Sequence, residues 1–535
     1  MKKQLIFFLF INTITFAQFN NTQLERVDIQ SYTFYIQIND NNDQIQAKTI
    51  VSFKALKKIN QIVLNLKNKN NKNKGMEVKR VEWTDKTPLQ FNHTNDSLYI
   101  YFPAKLKKNQ LYQLQIYYTG IPADGLYIKK NKYGKRTFFG DNWPNRAQNW
   151  LPVIDHPSNK AKVEWFITTP KHYEVIASGR LIQKLNLSEN DVYHFKTDVA
   201  LPTKVMVMAA ADFQIKYFLN LKLPHQCVPI SGWIYADETT EAFDDFTPSI
   251  DILKYYNHIL GPYPYQKLAN VQSNTRFGGM ENAGNIFYDE NKVNGLHQIE
   301  NLIAHEIAHQ WFGNNVTEQN WRDIWLSEGF ATYLNSLYIE HKYGKKKLQE
   351  RMAKERSKII RFNRYKTLPI VYEENENLFN LLNPNSYEKG AWVLHMLRQK
   401  TGDKTFFQIL KTFYLTYRNK NASTEDFIKV SEKISGKSLQ TFFDQWLFRA
   451  GVPLLTISSN YSNDKKQITI YIKQIRDTYQ LELPVLIKSG KKEVLKKLFI
   501  NKKEQGFAIK LSTKKKLAPE IVIDPYVQVL FEKTE

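Results

Sequence analysis

The spacing of apolar residues changes period twice along this chain, which narrows the architectures open to it. From about residue 20 to 215, stretches such as SYTFYIQI, TIVSFKAL, SLYIYF and LYQLQIYY alternate or are rich in β-branched and aromatic residues. Asn, Gly, Pro and Lys break them up. This predicts a β-rich domain, a sandwich or saddle. From about 240 to 450 the apolar residues recur every three or four positions, in EAFDDFTPSIDILKYYNHIL, HQIENLIAHEIAHQWFG, RDIWLSEGFATYLNSLYIEHKY and GAWVLHMLRQKTG. That spacing predicts helices. Strands return in PLLTISSN, QITIYIKQI, LELPVLIK and IVIDPYVQVLF. With 535 residues the chain can bury several cores. Domains are therefore expected over residues 18–220, 221–450 and 451–535.

The first residues read MKKQLIFFLFINTITFAQFN. Lys2 and Lys3 precede an apolar run from Leu5 to Ala17, and Thr15-Phe16-Ala17 suits cleavage. We expect a signal peptide over residues 1–17, its removal, and a periplasmic or secreted protein. No other apolar run approaches about 20 residues, so stable membrane insertion is not expected. The single cysteine, Cys227, permits no disulfide within the chain; it lies in a strand-like stretch and is expected to be a buried, inert thiol. The formal charge of +23 raises the question of nucleic acid. The lysines, however, are scattered through loops and strand faces such as NLKNKNNKNKGMEVKR and KSGKKEVLKKL, and no nucleic-acid motif accompanies them. Nucleic acid is not an expected partner.

The chemistry concentrates at HEIAH, residues 305–309. Ile299, Ile303, Ile307 and Trp311 form a stripe at four-residue spacing, so the segment is expected to be helical. His305 and His309 then project from one face, one turn apart, and can bind one zinc ion. Glu306 lies about 100° around the helix from His305, which suits a general base acting on metal-activated water. The motif alone is only suggestive, and zinc needs a third protein ligand. Glu328 is a candidate, with a solvated helix glutamate as the alternative. It lies eighteen residues after His309, in an otherwise apolar and aromatic helix pattern where an unpaired acid is costly.

HEIAH, followed after eighteen residues by the Glu of WLSEGFATY, resembles the zinc aminopeptidase family of aminopeptidase N and leukotriene hydrolase. FGGMENAGNIFY resembles that family's GxMEN segment, YEKGAWVLHML its tyrosine segment, and NWLPVIDHPSNKAKVEWFITTP its N-domain segment. The resemblance implies a multidomain α+β fold: an N-terminal β-domain, a thermolysin-like α/β zinc peptidase domain and a small C-terminal β-sandwich domain. The chain ends where that family's large helical last domain would begin, so that domain is expected to be absent. The resemblance assigns one zinc per chain to His305, His309 and Glu328, the base to Glu306, and oxyanion stabilisation to Tyr387. Glu281 would bind the free α-amine of a peptide substrate. Gly278, Gly279, Met280 and Asn282 would complete the substrate-binding segment, the glycines letting a peptide backbone approach as an added strand.

Some members place a glutamine in the N-domain segment to help hold the amine. Here Asp141 and Trp143 occupy that region, and Asp141 is a candidate to supplement Glu281. Asp323 and Thr332 are candidates to orient the metal ligands. The expected activity is release of N-terminal residues from peptides. Two alternatives are an endopeptidase, against which Glu281 argues, and an inactive peptide-binding scaffold, against which the intact motif residues argue.

Overall fold

The structure is a computed structural model, and it describes residues 23–374, 377–490, 492–511 and 518–534. The expected signal peptide lies outside the described residues. The chain divides into two compact units. Of the described residues, those within 23–129, 138–177 and 181–210 form one, and those within 130–137 and 178–180 and from 211 onward form the other.

The first unit is built on a large sheet whose central strands are Lys160–Pro170, Val27–Gln37, Ile45–Ala55 and Leu111–Ile121. Alternation sets its inner face, with one irregularity. In Val27–Gln37 the inward residues are Val27 and Ile29, then Tyr32, Phe34 and Ile36. The parity changes because the register with Ile45–Ala55 shifts between Ile29 and Ser31. One extra residue turns every following side chain to the other face.

The second unit contains a five-stranded sheet, ordered Phe213–Leu223, Gln226–Tyr235, Leu268–Ser273, Asn285–Asp289 and Gly279–Met280. Leu268–Ser273 is buried along its whole length and pairs in parallel with both neighbours, as expected of a strand covered on both faces. Gly279–Met280 is the edge strand, antiparallel to Asn285–Asp289. Cys227 stands on Gln226–Tyr235, as its strand pattern predicts, but it is exposed. Alternation here turns Val228 and Ile230 inward and leaves the cysteine on the other face. The expectation of a buried thiol is thus corrected.

The longer helices of this unit, among the described residues, are α1 (Pro248–Leu260), α2 (Glu300–His309), α3 (Trp325–Tyr343), α4 (Lys345–Tyr365), α5 (Gly390–Thr401), α6 (Asp403–Tyr417) and α7 (Thr424–Ser435). The stripe Ile299, Ile303, Ile307 and Trp311 is buried and seats α2 in the core. Tyr256 of α1 donates its hydroxyl hydrogen to the Ala304 carbonyl at 3.0 Å. Nearly all of α3 is buried, and it stops at Gly344 with a φ of 87°. Two small sheets follow, one of four strands and one of three, with Leu455, Ile470, Leu483 and Val485 in their core. They are tied to α4 by Arg356 with Asp524 at 2.8 Å and by Arg364 with Glu532. Among the described residues no helix is long and apolar enough to cross a membrane.

Candidate metal centre and active site

The α2–α3 pair sets the centre. His305 Nε2 and His309 Nε2 face each other at 3.1 Å, and Glu328 Oε2 lies 3.5 and 3.3 Å from them. Donors bound tetrahedrally to zinc at 2.0–2.1 Å stand about 3.3 Å apart, so the three atoms already have the separation one ion requires. The chemistry of the donor set asks for a cation too. Two imidazole nitrogens converge on a buried carboxylate oxygen that has no hydrogen-bond partner among the described residues. His309 Nδ1 faces the Phe312 carbonyl at 3.2 Å and Ser327 Oγ at 3.1 Å. A proton on Nδ1 directs the Nε2 lone pair at the metal position.

Asp323, a candidate for that orienting role, accepts instead from Thr424 N at 3.1 Å and Thr424 Oγ1 at 2.6 Å. It therefore ties the start of α7 to the residues just before α3. Thr332 accepts through its carbonyl from Ser336 Oγ at 3.1 Å, a contact within the helix.

Glu306 is buried beside the ligands. Burial, chiefly, pushes its carboxyl well above the ordinary range. His309 opposes that shift, Glu281 and Glu328 add to it, and Lys292 opposes it. Burial also lowers His305. Burial pulls His309 down as well, but the facing carboxylates, Glu328 first, outweigh it and raise it to about 9. Three acids converging on two histidines make a strongly negative pocket, the field a divalent cation would relieve.

Gly279 explains how Glu306 fits. A Cβ on Gly279 would stand 2.3 Å from Glu306 Oε1 and 2.7 Å from its Cδ. The carboxylate thus rests on the bare Cα of the edge strand. Gly279→Ala must displace it, and a shift near 1 Å can cost up to about a hundredfold in rate. We expect turnover to fall about tenfold with zinc content and Tm close to wild type. Unchanged turnover would show that Glu306 does not need this place.

The same edge carries Glu281, which is 5% exposed. Its backbone is clamped from beyond α2. Gln310 Nε2 donates to the Glu281 carbonyl at 2.9 Å and to the Glu306 carbonyl at 3.2 Å, while Gln310 Oε1 accepts from Gly284 N at 2.9 Å. Asn314 Nδ2 donates to the Glu281 carbonyl at 2.6 Å. Met280 and Asn282 are buried, whereas the backbone at Gly278 and Gly279 is half-buried. Gln310, Asn314 and Ser327 were not evident from the sequence. All three follow or lie between recognisable motif residues, but no periodicity marks Gln310 and Asn314, which bond the Glu281 carbonyl about thirty positions away, or Ser327, which bonds the His309 ring.

Tyr387 stands at the same centre. It lies in a π-turn, Asn385–Lys389, closed by Lys389 N donating to the Pro384 carbonyl at 2.8 Å, and α5 follows directly. Its ring stacks on His305 with centroids 6.0 Å apart. Burial, then Glu328, Glu281 and Glu306, push its phenol well up, so it stays a protonated donor. The approach depends on Gly329, next to Glu328. A Cβ there would meet Gly390 Cα at 2.9 Å and the Ser386 carbonyl oxygen at 3.2 Å, so α3 and the tyrosine turn touch backbone to backbone.

Asp141 is fully buried in the first unit and ion-paired to Arg146, which also holds Asp124 at 3.0 Å. Trp143 is buried in the same segment.

The two histidines and one glutamate, on paired helices beside a sheet edge, form a cluster able to hold one metal ion. Comparison with known proteins agrees with the geometry. Residues 245–446 match the peptidase family M1 domain, and residues 29–205 match the peptidase M1 N-terminal domain. The chain belongs to the M1 peptidase family, and His305, His309 and Glu328 fit the zinc site of that family. It is 26% identical over 389 residues to a glutamyl aminopeptidase of Bitis rhinoceros, an alignment covering 68% of this chain and 40% of that protein. To a probable aminopeptidase 2 of Sulfurisphaera tokodaii it is 27% identical over 350 residues, 61% of this chain and 43% of the other. The chain thus spans about two fifths of the length of these curated relatives. Its fold is that of an M1 zinc metallopeptidase of Deinococcus radiodurans, with a TM-score of 0.69 at 23% identity, covering 79% of this chain and 94% of that one.

Proposed function

We propose that the protein is a zinc-dependent aminopeptidase that releases N-terminal residues from peptides. The observation that carries this reading is the placement of Glu281, a buried carboxylate on the open sheet edge that acts electrostatically on Glu306 and His309. An α-amino group, with a pKa near 8, is largely protonated at neutral pH and pairs with such a carboxylate. An internal peptide segment has no such charge.

Zinc, when bound, supplies a Lewis acid that activates water and polarises the scissile carbonyl. Glu306 takes a proton from the attacking water and delivers it to the departing amine. Tyr387 donates its hydroxyl hydrogen to the oxygen on which negative charge develops. Gly279 lies on the edge strand of the sheet, beside which a substrate can add as a further strand, while the Gly278 carbonyl accepts from Asp289 N at 3.0 Å and fixes the start of that edge; Glu281 sets the register from the amine end. Many relatives that match are named aminopeptidases, which supports the same reading. Export to the periplasm or beyond the cell belongs to the proposal and rests on the charged and apolar pattern of residues 1–17.

Aminoacyl fluorogenic substrates with free and acetylated amines test the proposal. The free forms are expected to be cleaved and the blocked forms spared. A chelator should abolish cleavage, and added zinc should restore it. Equal cleavage of both forms would indicate an endopeptidase, and no cleavage of either a scaffold.

A further inference from the structure

Lys292 is a charged group at the site that the proposed chemistry leaves unused. It follows the strand Asn285–Asp289 in a turn where Lys292 N donates to the Asp289 carbonyl at 2.9 Å. Both sides of that turn are fixed. Lys132 Nζ donates to the Glu290 carbonyl at 3.0 Å and Gln272 Nε2 to the Val293 carbonyl at 3.2 Å; Asn294 N and Gly295 N each reach Asp245 Oδ2 at 2.7 Å. The lysine side chain runs back along the sheet edge. A Cβ on Gly278 would stand 2.4 Å from Lys292 Nζ, so the ammonium sits on the bare face of that glycine. Among the described residues it makes no ion pair. Arg276, two residues further out, is exposed and holds its guanidinium 4.8 Å from the centre of the Phe379 ring.

The order along the strand gives these cations their meaning. Glu281 marks the amine end of the substrate, and Gly279 touches Glu306, where the bond is cut. Gly278 and Arg276 come next. An extended peptide advances about 3.3 Å per residue. With its amine at Glu281 and its first peptide bond at Glu306, its second and third residues pass Gly278. We propose that Lys292 binds a carboxylate on the departing part of the peptide. Two sources carry that group at this reach: the C-terminus of a di- or tripeptide, and an Asp or Glu side chain at the second or third position. This inference rests on the aminopeptidase reading, which sets the direction of the substrate.

The test compares catalytic efficiencies on three sets of substrates, each divided by that on an aminoacyl arylamide, which has no carboxylate. The sets are a tripeptide as free acid and as amide, and amidated pentapeptides with Glu or Gln at the second or third position. Exposed ion pairs contribute little, so the wild type should favour the carboxylate member by about fivefold at low salt, and less at high salt. Lys292→Met should bring the ratio near one, and Lys292→Glu should invert it. A preference confined to the free tripeptide identifies the terminal carboxylate as ligand; one for Glu over Gln identifies the side chain. Equal ratios in wild type and Lys292→Met overturn the inference while leaving the aminopeptidase reading intact. A wild type that cleaves no arylamide overturns both.

Discussion

Glu306→Gln is expected to lower turnover by about two orders of magnitude or more, the range general-base catalysis supplies, while zinc stays bound. The substitution keeps the size of the side chain, so the amide can rest on Gly279 as the carboxylate does. The ligand atoms, His305 Nε2, His309 Nε2 and Glu328 Oε2, are untouched. The backbone carbonyl of residue 306 still accepts from Gln310, so α2 keeps its tie to the sheet edge. Only proton transfer is lost. The expected pattern is a fall in kcat with little change in KM, because substrate is held by Glu281 and the strand edge. Metal analysis of the purified variant, alongside steady-state kinetics, checks both halves. A variant with normal turnover would remove Glu306 from the base role, and one that had lost its zinc would show that Glu306 helps to hold the metal.

The contrast between what was legible in the sequence and what was not follows from the range of the interactions. His305 and His309 were legible because their relation is local, four residues on one helix. Glu328 was legible because an acid in an apolar helix needs a partner. The change from alternation to helical spacing also marked where the sheet-rich first unit gives way to the helices. What was hidden depends on contacts between distant segments. The Ile29–Ser31 bulge exists only relative to the partner strand. Gly279 was expected to admit a peptide backbone, but its missing side chain first of all makes room for Glu306, twenty-seven residues later. The Gln310 and Asn314 clamp on Glu281 leaves no periodic trace, and the exposure of Cys227 follows from which face of its strand is covered.

Glu281→Ala is expected to reduce catalytic efficiency on free-amine substrates by on the order of a hundredfold, with zinc content unchanged. Removing one partner of a buried charge pair costs about 2–5 kcal/mol, part of it for leaving the other charge unpaired. The structure confines the change to the side chain. The Glu281 carbonyl, which takes the Gln310 and Asn314 hydrogen bonds, is present in the variant, so the edge strand keeps its position. Discrimination against N-acetylated substrates should shrink at the same time, because a neutral amide no longer has to sit against a buried carboxylate. The decisive quantity is therefore the ratio of catalytic efficiencies for free and acetylated forms of one substrate, which cancels any general loss of activity. A ratio that falls toward one assigns amine recognition to Glu281. A ratio equal to that of the wild type assigns it to another group, and the lost efficiency would then reflect the altered field at Glu306 and His309, on which the Glu281 charge acts directly.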